Sequence, residues 1–151
     1  TVLGNLGRLL TSKGHYDEAL IVLRRSADMT LASFGKGHHE YAIKLTNLAM
    51  ALVGCGRDAE AETCFQEVIK IDEKCFGSKH LEVGQDLWNL GAFFVRSEKY
   101  LDAEGFLRRS SNIFKQSLGK EHPRTQEILA IIEKLKAVRA FEALNSRAGE
   151  K

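Results

Sequence analysis

A single interval of 42 residues organises most of this chain. Five sets of positions keep that spacing without a slip, and a fixed period of this kind is typical of architectures built by stacking similar supersecondary units. The sets are Asn5, Asn47 and Asn89, each followed by Leu; Leu3, Leu45, Leu87 and Leu129; Ala19, Ala61 and Ala103; Gly35, Gly77 and Gly119; and His38, His80 and His122.

Each unit contains two amphipathic helices, A and B. In the second unit Leu45, Leu48 and Leu52 form one helical stripe, and Gly54 to Gly56 then break the helix. Helix B begins near Asp58, where the helix dipole favours an acidic residue, and ends before the next glycine of the Gly35 set. Ser97-Glu98 replaces the glycine break in the third unit. The pattern predicts an all-α fold of three helix-turn-helix repeats.

A further helix is predicted after the third repeat. Apolar residues recur at helical spacing from Ile128 to Phe141, and we expect this helix to cap the array with Glu133, Lys136 and Arg139 facing water. We expect one domain, divided into repeat 1 (1–37), repeat 2 (38–79), repeat 3 (80–121), the capping helix (123–142) and a frayed tail (145–151).

Three local motifs carry a family resemblance. They are Asn-Leu-Gly or Asn-Leu-Ala in helix A, the aromatic-acidic start Tyr16-Asp17-Glu18-Ala19 of helix B, and the link from Leu118-Gly119 to His122-Pro123. Together they resemble tetratricopeptide repeats, and the 42-residue unit looks like the kinesin light chain subtype, over about residues 1–123. The resemblance implies a right-handed superhelical solenoid whose A helices line a concave groove.

The same resemblance implies which positions face the groove. They are Asn5, Arg8, Ser12, Thr46, Asn47, Met50, Trp88, Asn89 and Arg96. Amide side chains both donate and accept hydrogen bonds, arginine pairs with carboxylates, and Met and Trp supply apolar contacts. We therefore expect a protein or peptide ligand, acidic and with an apolar anchor. The alternatives are that the asparagines brace neighbouring helices, that Trp88 lies in the core, and that Arg8 and Arg96 are solvated.

Composition limits the other classes of partner. The net charge is +2, which gives no strong field toward nucleic acid, and no apolar run is long enough to span a membrane. Cys55, Cys64 and Cys75 are an odd number without a paired motif. We interpret them as reduced thiols, small core residues of a cytoplasmic protein. Because Thr1 already lies inside a helical pattern, we expect a piece of a longer protein.

No catalytic motif stands out in the sequence. It has no G-x-S-x-G, no phosphate-cradling glycine loop and no H-E-x-x-H, so we expect a protein that is not an enzyme and needs no cofactor. The three histidines of the His38 set invite a metal interpretation, but we expect roles at helix starts instead. A structural alternative remains open: a homodimer, or a regulatory segment of a larger protein whose catalytic domain lies elsewhere.

Overall fold

A computed structural model of the protein describes residues 2–148 and shows helices throughout, with no strand in that range. The all-α prediction is therefore confirmed. The helices are α1 (Val2–Ser12), α2 (Tyr16–Phe34), α3 (His39–Gly54), α4 (Asp58–Phe76), α5 (Leu81–Arg96), α6 (Tyr100–Leu118) and α7 (Pro123–Ala148). The chain divides into two compact units, Thr1–Asp86 and Leu87–Lys151.

The recurring histidines start three of these helices. The Nδ1 atom of His38 accepts a hydrogen bond from the backbone N–H of Glu40 at 3.1 Å, and His80 and His122 accept in the same way at 3.2 Å. Each bond satisfies one of the backbone N–H groups that the first turn of a helix leaves without a partner. The predicted helix-start role is confirmed.

The turn between the helices of each repeat uses a left-handed residue. Gly14 and Gly56 have φ of 80° and 71°, and Glu98 takes the same conformation at 58°. Glycine adopts positive φ without a steric penalty, whereas a side chain there costs about 1 kcal/mol. The predicted breaks at these positions are confirmed, and the third turn carries backbone strain that the first two lack.

Small residues let the two helices of a repeat approach each other. Ala19, Ala61 and Ala103 are fully buried. A Cβ atom added at Gly7 would collide with the Leu23 side chain, and the same atom at the equivalent glycine of α5 would lie 2.7 Å from Leu107. In the Asn-Leu-Gly motif, the glycine therefore allows close contact between the two helices of the repeat, while the asparagine lies on the outer side of its helix.

Both units have apolar cores on the predicted stripes, although α1 is less covered than its equivalents. Leu48 and Leu90 are 7% and 0% exposed, whereas Leu6, in the same column, is 42% exposed. The predicted stripe of α1, Leu3, Leu6 and Leu10, is thus only partly covered, and the residues that α1 does bury are Gly4 and Gly7. Other core residues are Leu23, Leu45, Leu52, Phe65 and Val68 in the first unit and Leu87, Phe94, Leu107, Ile113 and Ile128 in the second.

The last helix packs on α6 and differs in two respects from the prediction. It continues to Ala148, past the expected end near residue 142, because the sequence there lacks a helix-breaking glycine or proline. Residues 149–151 of the predicted tail lie outside the described range. Arg139 does not simply face water, since its Nη1 atom donates to Glu104 Oε2 at 2.6 Å.

The cysteines are free thiols with different environments. Cys55 and Cys64 are half-buried, and burial raises the pKa of the Cys64 thiol, which keeps it protonated. Cys75 is exposed, so its prediction as a core residue is wrong. Its Sγ atom contacts the Gly37 carbonyl oxygen at 3.3 Å, near the surface link between α2 and α3.

Candidate functional site

A cleft of about 560 Å³ opens on the first unit between α1 and α3. Both helices contribute residues at helical spacing, so that each presents one stripe to the cleft. Five of the nine predicted groove residues meet there, together with two that the sequence did not single out. The lining residues are Asn5, Arg8, Leu9, Thr11, Ser12, Asn47 and Met50.

The local sequence explains why these side chains face outward. In α1 the glycines at positions 4 and 7 are buried, Gly7 against Leu23 of α2, which leaves Asn5, Arg8 and Ser12 on the outer side. In α3 the leucines at 45, 48 and 52 take the inner face. Asn47 and Met50 then lie on the side of the cleft. Packing of the inner stripes fixes the direction of the outer ones.

The polar groups of the cleft fall into two kinds. The hydroxyls of Thr11 and Ser12 donate to carbonyl oxygens of their own helix, each at 2.8 Å. By contrast, within the part of the chain that the structure describes, the Asn5 and Asn47 amides and the Arg8 guanidinium have no hydrogen-bond or ion-pair partner. Three strong hydrogen-bonding groups are thus available to a ligand.

Charge and apolar surface lie side by side in the cleft. Arg8 is positive, and none of the other six lining residues carries a charge. Leu9 and Met50 are 52% and 55% exposed, whereas the leucines of the core are almost completely buried. A guanidinium binds carboxylates in a bidentate geometry, and exposed Leu and Met contribute flexible apolar contact. The arrangement can hold an anionic group beside an apolar one.

The other four predicted residues have different surroundings. Thr46 is half-buried, and its hydroxyl donates to the Ala42 carbonyl of its own helix at 3.1 Å. In the second unit Trp88 and Asn89 are half-buried and Arg96 is exposed. The Trp88 ring centroid lies 4.8 Å from Cζ of Arg124, a cation–π contact with the start of α7.

Sequence reasoning missed three participants. Leu9 and Thr11 were assigned no role, although Leu9 follows Asn5 by four residues and helical spacing alone places it on the same stripe. Arg124 follows Trp88 by 36 residues, outside the 42-residue register, so no pattern in the chain pairs them. That the nine predicted groove residues bind a ligand remains a prediction.

Metal ligands and membrane-spanning segments are two further features that would define the kind of site. Between residues 2 and 148, no three or more His, Cys, Asp or Glu side chains are grouped so that they could hold a metal ion. Over the same range, none of the helices has the length and apolar character needed to cross a bilayer.

Helix pairs repeated every 42 residues, with an open cleft along the first helices, define a helical-repeat scaffold. The chain belongs to the tetratricopeptide repeat family. Two family models, both described as Tetratricopeptide repeat, match residues 1–40 and 40–116.

Solved structures of other proteins share this fold. A putative kinesin light chain from Podosopora anserina, with nearly identical TPR-like repeats, has a TM-score of 0.73 and 20% identity over 92% of this chain and 74% of that one. BtubC (BKLC) from P. vanneervenii has a TM-score of 0.78 and 19% identity, over 99% and 61%. At these identities the likeness shows the fold alone.

Curated relatives are much longer proteins. Clustered mitochondria protein homologs from Aspergillus terreus and Aspergillus fumigatus are 23% and 22% identical to this chain over 131 residues. The match covers 87% of this chain but only 10% of either relative. The chain therefore corresponds to one small part of proteins of that kind.

Proposed function

We propose that this chain is a protein-interaction module that binds an extended acidic peptide, or such a segment of a partner protein, in the α1–α3 cleft. The observation that carries the proposal is the set of three unpartnered polar groups, Asn5, Arg8 and Asn47, beside two exposed apolar side chains. The tetratricopeptide fold is an interaction scaffold, and a scaffold or adaptor role follows from it.

Each group of the cleft has a counterpart in such a ligand. The two asparagine amides can pair with backbone N–H and C=O groups, which every peptide offers whatever its sequence. Arg8 selects a carboxylate, while Leu9 and Met50 accept an aliphatic or aromatic side chain. The preferred ligand therefore has Asp or Glu within a few residues of an apolar anchor. Free thiols fit a reducing compartment, so we extend the proposal to the cytoplasm.

A peptide array tests the proposal. Peptides with one Leu, Met or Phe at varied distance from Asp or Glu should bind the protein, and matching peptides with Lys in place of the acids should not. Arg8→Ala should weaken the best acidic peptide about tenfold or more, since a hydrogen bond to a charged group contributes about 1.5–3 kcal/mol. The matched control is Arg25→Ala on the exposed surface of α2, which should leave affinity unchanged.

The asparagines give a second arm of the same experiment. Asn5→Ala and Asn47→Ala should each reduce affinity severalfold without changing the melting temperature, because their amides hold nothing else in the described structure. Asn112→Ala, at an exposed position of α6, serves as the control. A loss of stability that matches the loss of affinity would instead favour the bracing role of the asparagines.

Salt provides the third arm. If Arg8 contacts a carboxylate of the ligand, raising the ionic strength should weaken binding, because exposed charges are screened over about 8 Å at physiological salt. The Arg8→Ala variant should show a shallower salt dependence than the unmodified protein. Equal slopes for the two proteins would remove Arg8 from the binding site and leave the apolar contacts to account for affinity.

A further inference from the structure

Three titratable side chains of the first unit, each on a different helix, lie close together. His39 begins α3, Asp72 lies near the end of α4, and Asp86 lies in the second turn of α5. His39 Nδ1 is 2.8 Å and 3.0 Å from the two carboxylate oxygens of Asp72. The Asp86 carboxyl lies beside that of Asp72, within reach of a hydrogen bond.

Burial makes this cluster unusual. Asp72 and Asp86 are 2% and 8% exposed, and acidic residues are rarely so buried unless they are paired with a cation or are neutral. Among the described residues, Oδ2 of Asp86 has no hydrogen-bond partner at all. Ionising Asp86 would therefore place an uncompensated negative charge next to the Asp72 carboxylate.

A hydrogen bond between the two carboxyl groups requires a proton. Two carboxylates have only acceptor atoms, so Asp72 and Asp86 can hydrogen-bond only when one of them is protonated. Asp72 also accepts the Nδ1–H of His39, so its oxygens already act as hydrogen-bond acceptors. The proton therefore belongs on Asp86, and the chain of bonds runs from the Asp86 O–H to the Asp72 carboxylate, which also accepts from His39.

The repeat pattern does not demand these acids. One period away from Asp72 stand Thr30 and Phe114, and one period away from Asp86 stand Lys44 and Ile128. In the second unit both equivalents, Phe114 and Ile128, are buried apolar residues. An apolar pair is thus sufficient at these two columns. The acidic pair is a local departure that the stacking of helices leaves unexplained.

We propose that His39, Asp72 and Asp86 form a pH-sensitive clamp, in which a neutral Asp86 carboxyl ties the start of α5 to α3 and α4 and releases it on losing its proton. The groups facing Asp86 are Asp72 from α4 and Glu82 from its own helix, with His39 of α3 bonded to Asp72. All three residues belong to the first unit, so the clamp fixes how the start of α5 is held on the second repeat.

The electrostatic surroundings set the pH at which the clamp acts. Burial, then the neighbouring Asp72 and Glu82 carboxylates, raise the pKa of Asp86 to about 8 from its ordinary value of 3.8. A raised folded-state pKa means that the folded protein keeps a proton that the unfolded chain has lost. The contribution to stability is therefore complete below pH 3.8 and is lost as pH rises to about 8.

Unfolding by denaturant across the pH range tests the clamp. The folding equilibrium constant of the unmodified protein should fall, relative to that of Asp86→Asn, about tenfold per pH unit between roughly pH 5 and 7.5 and should level off above about pH 8. The side-chain amide of this variant donates to Asp72 at every pH. Glu82→Gln is the matched control and should keep the slope. A ratio that stays constant over this range overturns the proposal.

A direct titration keeps the proposal testable if Asp86→Asn does not fold. In the unmodified protein labelled with ¹³C at aspartate carboxyls, one buried resonance should remain in the protonated position at pH 7 and titrate near pH 8. In Asp72→Asn that midpoint should move to lower pH, since the repulsive carboxylate is gone. A full set of aspartates already ionised at pH 6 contradicts the clamp.

Discussion

The two units place similar helices in the same register and use their outward faces differently. In the first unit Asn5 and Asn47 have no partner among the described residues, and the face they share with Arg8 is an open cleft. In the second unit Asn89, of the same column, does have an interaction partner. Its neighbour Trp88 lies against Arg124.

This difference shows that the repeat determines the backbone and the buried stripe of each helix. It does not determine what the residues on the outer stripe do. Inner positions such as Leu48 and Leu90 are interchangeable because each fills the same space between helices. Outer positions have no such requirement. We therefore expect substitutions on the first unit's outer face to change binding, and those on the second unit's face to change stability.

The largest effect should come from removing α7. Ile128, Ile132 and Leu135 are each at most 4% exposed, and burying three such side chains contributes about 5 kcal/mol. Truncation before Arg124 should therefore unfold or aggregate the second unit, as seen by circular dichroism and light scattering. Truncation before Phe141 is the control, because Phe141 and Leu144 are more than half exposed. A well-behaved protein without α7 would contradict the assignment of a packed cap.

Trp88 should matter for folding more than the asparagines do. Trp88→Ala removes a half-buried ring and its contact with Arg124, and we expect a cost of about 2 kcal/mol in the free energy of unfolding. Asn47→Ala should cost less than about 0.5 kcal/mol, the usual range for positions without partners. Denaturant titration of both variants measures the contrast, and equal costs would remove the distinction between the two faces.

Acid should reveal the ion pairs of Glu104, one of which ties α7 to α6. Glu104 is bonded to Arg108 at 2.6 Å and to Arg139 at 2.6 Å, and hydrogen bonds from these arginines lower its pKa below the usual 4.5. A lowered folded-state pKa adds stability that is present above pH 4.5 and is lost as pH falls below it. Glu104→Gln should therefore flatten the acid side of the stability profile. An unchanged profile would mean that these bonds contribute nothing in solution.

The left-handed turns should give small effects of opposite sign. Gly56 and Glu98 occupy equivalent turns with φ of 71° and 58°. Gly56→Ala should cost about 1 kcal/mol through backbone strain, since open space surrounds the position. Glu98→Gly should gain a few tenths of a kcal/mol, because relief of strain exceeds the added freedom of the unfolded chain. Thermal melting of the two variants measures both changes in stability. A lower stability of Glu98→Gly would show that the Glu98 side chain makes a compensating contact.

Most of the fold could be predicted because it depends on local signals. Glycine at 35, 77 and 119 ends helices, and the apolar columns set which face is buried, so the bounds of α2 to α6 follow from the sequence. The end of α7 could not be predicted in the same way. Its last turns combine exposed Phe141 and Leu144 with good helix formers, and neither glycine nor proline occurs near the predicted end at residue 142.

Side-chain partners between helices were beyond the sequence pattern. Periodicity predicts that Asn5 and Asn47 face the same way, because one period separates them. It says nothing of Arg139 with Glu104, which are 35 residues apart, or His39 with Asp72, which are 33 apart. Those distances are set by how two packed helices cross, and only three-dimensional coordinates give them.

Resonances of the side chains themselves test the central contrast most directly. In ¹⁵N-labelled protein, the amide groups of Asn5 and Asn47 and the indole N–H of Trp88 give separate signals. Addition of the acidic peptide that the array selects should shift both asparagine signals and leave the indole in place. Movement of the Trp88 indole with unchanged asparagine signals would contradict the account, since binding would then lie on the second unit.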